Sequence, residues 1–283
     1  MKFPLKLVLV LASIAVVLLL VSISLKSPEG NRDWSQEFSK TMSATYTQEG
    51  KVAIKNVRNW TYGDLTILEK EWEDITVDPA RVTQVWFVTE PFSSWEAVGH
   101  TFLSFEFEDG TVLSFSVEAK REVGEDYSAI RGLFKEYELA YQWGTERDFI
   151  ARRLLYLDHP IHRYPLSLTS EMREGLFRGV IEKTNTLAET PRFYNTLTEN
   201  CTNALAHIVN DIAPNTLPYD IAWQLTGYAD LYLMDQGFIA LGSATKEEVR
   251  EAYDLTKKKA EIQNVATIPP KEFTAQLNSL LEE

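Results

Sequence analysis

The chain has 283 residues, 45% of them apolar and 12% aromatic, with 13 Gly, 11 Pro and a single Cys. That is enough apolar material for one sizeable core or two small ones, and it excludes a collagen-like, disordered or disulfide-framework protein. The formal net charge is −13; all 41 acidic residues and all but three of the 28 basic ones lie beyond residue 26, and a body that acidic has no general attraction for phosphate backbones or anionic lipid surfaces, which excludes nucleic-acid binding.

The first predicted element is an uncharged run of 19 residues, Leu7 to Leu25, rich in Leu, Val and Ile. At about 1.5 Å rise per residue a helix of that length nearly spans the hydrocarbon core of a bilayer. Positive charge precedes the run (the free amine, Lys2 and Lys6), and Lys26, Glu29, Arg32 and Asp33 follow it, which predicts a cytoplasmic N-terminus and an exported body. Ser22-Ile23-Ser24 offers the small residues of a signal-peptidase site, but the run exceeds the usual h-region, so an uncleaved single-span anchor is expected; no Cys follows that would make a lipoprotein.

Residues 27–50 are polar and turn-rich and read as a linker. Short strands follow at Val52 to Tyr62, Leu65 to Glu71 and Arg81 to Thr89, then His100 to Phe107 and Val112 to Glu118 around Asp109-Gly110. Tyr137 to Trp143 and Arg163 to Leu168 are further strand candidates. Helices are predicted over Thr145–Leu155, over Ser170–Leu187, from near Asn200, and from Thr245, where Glu248 completes a capping box. Strands first and helices later predict an α+β domain built on an antiparallel sheet. The expected organisation is an anchor over 1–26, a linker over 27–50, a main domain over 51–240 and a helical extension over 241–283, whose apolar stripe Phe273, Leu277, Leu280 and Leu281 is expected to pack on the body.

In the hairpin, matching apolar faces pairs Leu103 with Val117, Phe105 with Phe115 and Phe107 with Leu113, and requires a loop longer than two residues or a Gly-based bulge. On the other face this register leaves Glu118 as a diagonal neighbour of His100.

The one cysteine sits in Asn200-Cys201-Thr202-Asn203, at the start of a predicted helix that Asn200 can cap. A thiol in a first helical turn meets the positive end of the dipole and unpaired N–H groups, which favour a thiolate and can hold an oxyanion. Spacing alone leaves open the alternative of a small buried hydrophobe. Among the histidines, His207 lies about 240° around the same helix from Cys201, and His159 and His162 flank a proline in a loop-like stretch and read as surface residues. His100 opens a strand beside an acidic residue, which suits a base with an orienting partner or, equally, a polar strand cap. Arg147, Arg152 and Arg153 beside Glu146 and Asp148 read as ion pairs that organise the domain, with a substrate-carboxylate clamp as the alternative; Trp86 and Trp143 read as core. No zinc-type spacing, G-x-S-x-G, Walker loop or dinucleotide fingerprint is present, so no metal and no cofactor is expected.

Several stretches resemble the Lnb N-terminal periplasmic domain family: Val57-Arg58-Asn59-Trp60, His100-Thr101-Phe102-Leu103-Ser104-Phe105, Ser116-Val117-Glu118-Ala119-Lys120-Arg121-Glu122, Arg163-Tyr164-Pro165-Leu166, Phe193-Tyr194-Asn195-Thr196-Leu197 and Asn200-Cys201-Thr202, across roughly residues 52–235. Lys120 departs from the family wording, which has Arg there. That family looks like a circularly permuted branch of the NlpC-type papain-like cysteine hydrolases, in which the histidine strand precedes the cysteine helix. The resemblance implies Cys201 as nucleophile and His100 as base; Glu118 as third residue comes from the hairpin faces. The resulting expectation is a membrane-anchored extracytoplasmic cysteine hydrolase or acyltransferase of permuted papain-like fold. Its substrate would be a cell-envelope peptide, glycan-peptide or lipid-linked amide or ester. The rival is a non-catalytic envelope module that binds a partner or assists assembly of exported proteins.

Overall fold

The computed structural model describes residues 5–282; Lys2 and Glu283 lie outside them. Helix α1 (Leu5–Ser24) carries the apolar run, and its Lys6–Ser24 portion is long and apolar enough to cross a membrane by length and composition. The strands are β1 (Ser43–Tyr46), β2 (Val52–Arg58), β3 (Thr61–Gly63), β4 (Thr66–Glu69), β5 (Trp72–Val77), β6 (Val82–Glu90), β7 (His100–Phe107), β8 (Val112–Lys120), β9 (Glu138–Thr145) and β10 (His162–Pro165). Helices after the anchor are α2 (Glu146–Ala151), α3 (Ser170–Glu189), α4 (Cys201–Ile212), α5 (Ala229–Asp235), α6 (Lys246–Ala252), α7 (Lys259–Val265) and α8 (Pro270–Glu282).

The main sheet runs in the order β1-β2-β9-β8-β7-β6-β10, with β5 also paired to β2, and β3 and β4 form a separate ladder. Every pairing is antiparallel except the single parallel bridge Arg58–Gly144 between β2 and β9. This is a mixed α+β fold with an open sheet. Alternation along β7 feeds two cores: Leu103, Phe105 and Phe107 pack with Phe177 and Leu205 of α3 and α4, while Phe102 packs with Phe149, Leu255 and Phe273 on the opposite face. Phe273 and Leu277 are fully buried in this second cluster, so the C-terminal stripe covers the body.

Three differences from the sequence reading follow from long-range pairing. The polar stretch 27–50 contributes β1, whose Ala44 N–H and C=O are both bonded by the Asn185 side chain of α3. The single strand expected over Val52–Tyr62 breaks into β2 and β3, and the acid-rich β5 had no alternation strong enough to announce it. Most consequential is the hairpin: Leu103 faces Phe115, Phe105 faces Leu113 and Phe102 faces Ser116, a slip of two residues from the expected register. The turn decides this. Gly110 adopts φ +79°, its N–H bonds Phe107 O at 2.9 Å, and Phe107 N–H bonds Thr111 O at 2.8 Å, which makes a three-residue loop with a left-handed glycine. Because all candidate partners are apolar, hydrophobic matching did not separate the two registers. A slip of two leaves every side chain on its expected face.

Candidate functional site

Continued two pairs beyond Phe102–Ser116, the β7–β8 register sets His100 across from Glu118 rather than diagonal to it. Nε2 of His100 lies 2.8 Å from Ser116 Oγ and 3.3 Å from Glu118 Oε1, and Ser116 donates its hydroxyl to Glu118 at 2.7 Å. Ser116 therefore stands between the two groups as a relay. Sequence reasoning passed over it, although it shares the Glu118 face two residues away.

The strand start that carries His100 is held from outside. Thr226 donates its hydroxyl to Gly99 O at 2.5 Å and accepts the Gly99 N–H at 3.2 Å. Gly227 packs so close behind that a Cβ there would fall 1.8 Å from Glu96 O.

Cys201 is the first residue of α4, and Asn200 caps the helix by accepting the Asn203 N–H at 2.8 Å, as its position predicted. Such a cap contributes about 1 kcal/mol. The Asn200 amide also donates to Thr196 O and Trp223 O, so the cap is anchored on both sides. Leu205 and Ile208 bury the inner stripe of α4 against the sheet; each such side chain contributes about 1.5–3 kcal/mol. This packing brings the first turn of α4 to the start of β7, where the Thr101 and Thr202 hydroxyls lie 3.2 Å apart.

There Cys201 and His100 line the same cleft, and the Cys201 sulfur lies 4.0 Å from the Thr202 hydroxyl. Burial, the largest single influence, would push the thiol up; the adjacent charge of His100, with Thr101, outweighs it and holds Cys201 below the ordinary thiol value. Burial is likewise the largest influence on His100 and would lower it, but the charges of Glu118 and then Cys201 push the imidazole up to about 10. Glu118, which burial alone would raise, is held well below the usual carboxylate range by His100, then by Arg153 and Ser116. The three directions all favour the charged forms: thiolate, imidazolium and carboxylate.

These groups line a cleft of about 250 Å³ together with Glu90, Arg121, Tyr127, Arg152, Arg153, His159 and Tyr194. None of the seven tryptophans is among its lining residues, and Trp143 is buried in the core. Arg152 and Arg153 form ion pairs, but with partners distant in sequence, whereas Arg147 donates to Ile268 O and Asn59 Oδ1. Helix α2 widens into a π-helical turn over Arg152–Tyr156, and from it Arg153 reaches Glu90 at 2.7 Å and Glu118 at 3.1 Å. Asp148 instead pairs with buried Arg58 at 2.7 Å, and Glu146 with buried Arg163 at 2.8 Å. His159 is not a free surface residue: its Nδ1 lies 2.6 Å from Glu90 Oε1 in the cleft wall. His207 is exposed and packs edge-on against Trp223, away from the thiol. Among the described residues no group of three or more His, Cys, Asp or Glu side chains is placed to hold a metal ion.

An open-sheet α+β domain with a buried thiol, an imidazole and a carboxylate at one cleft is thus the class of protein that fold and site define. A family model described as the Lnb N-terminal periplasmic domain matches residues 69–227, more than half of the chain and a span that includes every cleft residue named above. The chain belongs to that family, and it is an extracytoplasmic envelope protein by that membership. The match is narrower than the 52–235 read from the sequence and leaves out Val57-Arg58-Asn59-Trp60. No match was found among curated proteins or among solved structures.

Proposed function

We propose that this protein is a thiol-dependent acyl-transferring enzyme of permuted papain-like type, held in the cytoplasmic membrane by α1 with its body in the periplasm. The observation that carries this reading is the convergence of Cys201, at the start of α4, and His100, at the start of β7, on one open cleft, where each charge favours the other. Histidine before cysteine in the chain matches the permuted order.

In the proposed reaction the Cys201 thiolate attacks an amide or ester carbonyl, and the carbonyl electrons move onto oxygen. First-turn N–H groups of α4 not already used by the cap receive that oxyanion. Collapse expels the leaving group, which takes the proton of the His100 imidazolium and leaves a thioester on Cys201. Because Nε2 faces Ser116 and Glu118, the proton is delivered from Nδ1. Glu118, through Ser116, fixes the ring and stabilises its charged form. The acyl group then passes to water or to another acceptor. Substrates are drawn from the cell envelope: peptide, glycan-peptide or lipid-linked amides and esters.

The test is labelling of the full-length protein with a thiol-reactive acyl probe, in wild type and His100→Ala. The reading expects one label per chain, on Cys201, and a large loss of rate in the variant. Equal labelling rates in the two proteins would refute it.

A further inference from the structure

The cleft holds a second imidazole–carboxylate pair. Glu90, only 4% exposed, is the cross-strand partner of His100 in the β6–β7 ladder. Its Oε2 accepts Arg153 Nε at 2.7 Å and its Oε1 meets His159 Nδ1 at 2.6 Å. Arg153 spans the two carboxylates, so the order across the cleft floor is His159, Glu90, Arg153, Glu118, His100. In the neutral ring, with the Glu90 carboxylate on Nδ1, that nitrogen carries the hydrogen and Nε2 presents its lone pair. Nε2 has no protein partner among the described residues, and the His159 side chain is 31% exposed in the cleft wall beside Phe92.

The neighbouring polar groups are already committed. Arg153 also donates to Phe149 O; Glu118 accepts from Ser116 and Arg153; the Tyr127 and Tyr194 hydroxyls lie 3.1 Å apart and bond each other. His159 is left as the wall's uncommitted acid–base group.

We infer that His159, oriented by Glu90, is the base that activates the acceptor in the second half of the reaction, while His100 serves the first. This rests on the reading of Cys201 as the acylated nucleophile. After acylation His100 has given its proton to the leaving group, and its side chain is only 14% exposed against 31% for His159 in the same cleft. A protic acceptor (water, an alcohol or an amine) enters from the open side, against His159. Its lone pair forms the new bond to the thioester carbon, its proton passes to His159 Nε2, and collapse breaks the carbon–sulfur bond with the pair leaving on sulfur. The proton returns from His159 to His100 through cleft water, restoring the thiolate–imidazolium pair, and no outside oxidant or co-reactant enters.

The experiment uses the full-length protein in detergent with p-nitrophenyl butyrate, whose release reports acylation as a burst and deacylation as the steady rate. In His159→Gln the burst should stay within about twofold of wild type while the steady rate falls at least about 100-fold, the lower range for loss of a general base. Added imidazole should restore part of the steady rate in His159→Ala, which a merely structural histidine would not allow. A steady rate in His159→Gln close to wild type, or a burst slowed by the same factor as turnover, would overturn the inference and leave the Cys201 reading intact. A wild type without a burst would overturn both.

Discussion

Ser116 Oγ sits 2.8 Å from Nε2 of His100. Since the same hydroxyl donates to Glu118 at 2.7 Å, its hydrogen is spent on the carboxylate and its oxygen is free to accept from the ring. The carboxylate thus acts on the imidazole both at 3.3 Å directly and through the serine.

Ser116→Ala should therefore slow acylation of Cys201 without unfolding the domain. A hydrogen bond to a charged group contributes about 1.5–3 kcal/mol, or roughly one to two orders of magnitude in rate. Glu118→Gln should slow it further, because the charge that raises His100 goes with it. The rate of acyl-probe labelling checks both, with melting curves as the folding control; a Glu118→Gln protein that labels as fast as wild type would remove Glu118 from the site.

The pH dependence of thiol alkylation should begin below the ordinary thiol range in wild type and move upward in His100→Ala, where burial of Cys201 is no longer opposed by the imidazolium. On the alkaline side turnover should fall as His100 loses its proton near 10, while alkylation by iodoacetamide persists. Stability follows the same signs. Folded His100 holds its proton more tightly than the unfolded chain, so its contribution is complete below about 6.5, the unfolded histidine value, and is lost as pH rises through about 10. Glu118 is depressed, so its contribution is present above the unfolded carboxylate value and lost as pH falls through the folded one. Iodoacetamide rates and melting temperatures across pH, in wild type and Glu118→Gln, measure each limb.

Asp148→Ala should be strongly destabilising. Asp148 takes Arg58 through both oxygens and also accepts the Trp60 N–H at 2.7 Å, and neither charged side chain is more than 2% exposed. Removing one partner of a buried pair costs about 3–5 kcal/mol, whereas replacing both by apolar groups is often far cheaper. Denaturant unfolding of Asp148→Ala beside the double variant Arg58→Met, Asp148→Leu distinguishes the two cases, with the double variant expected to be the more stable.

A reporter active only outside the cytoplasm, fused after Glu283, should be active, and the protein should stay in the membrane fraction after an alkaline wash. Mass measurement should show the N-terminal run still attached. A mature chain beginning after Ser24 would mean that the run is a cleaved signal, and a fusion active only in the cytoplasm would contradict the export of the body.

Local features of this protein were readable from its residues because they depend on neighbours in the chain. The apolar run of α1, the Asn200 cap that sets Cys201 at a helix start, and the Thr245–Glu248 capping box all recur in the fold. Strand alternation also placed Glu118 on the His100 face, since a period of two survives any even slip of register. Only tertiary structure chose among equivalent partners. Leu, Phe and Val match one another in either register, and the left-handed Gly110 loop selected the one that sets His100 opposite Glu118 and brings Ser116 between them. Glu90, Arg153 and His159 carry no local pattern that joins them. They meet because the π-helical turn and the β6–β7 ladder converge on the same cleft, and an isolated carboxylate buried there would be too costly without the Arg153 and His159 side chains bonded to it.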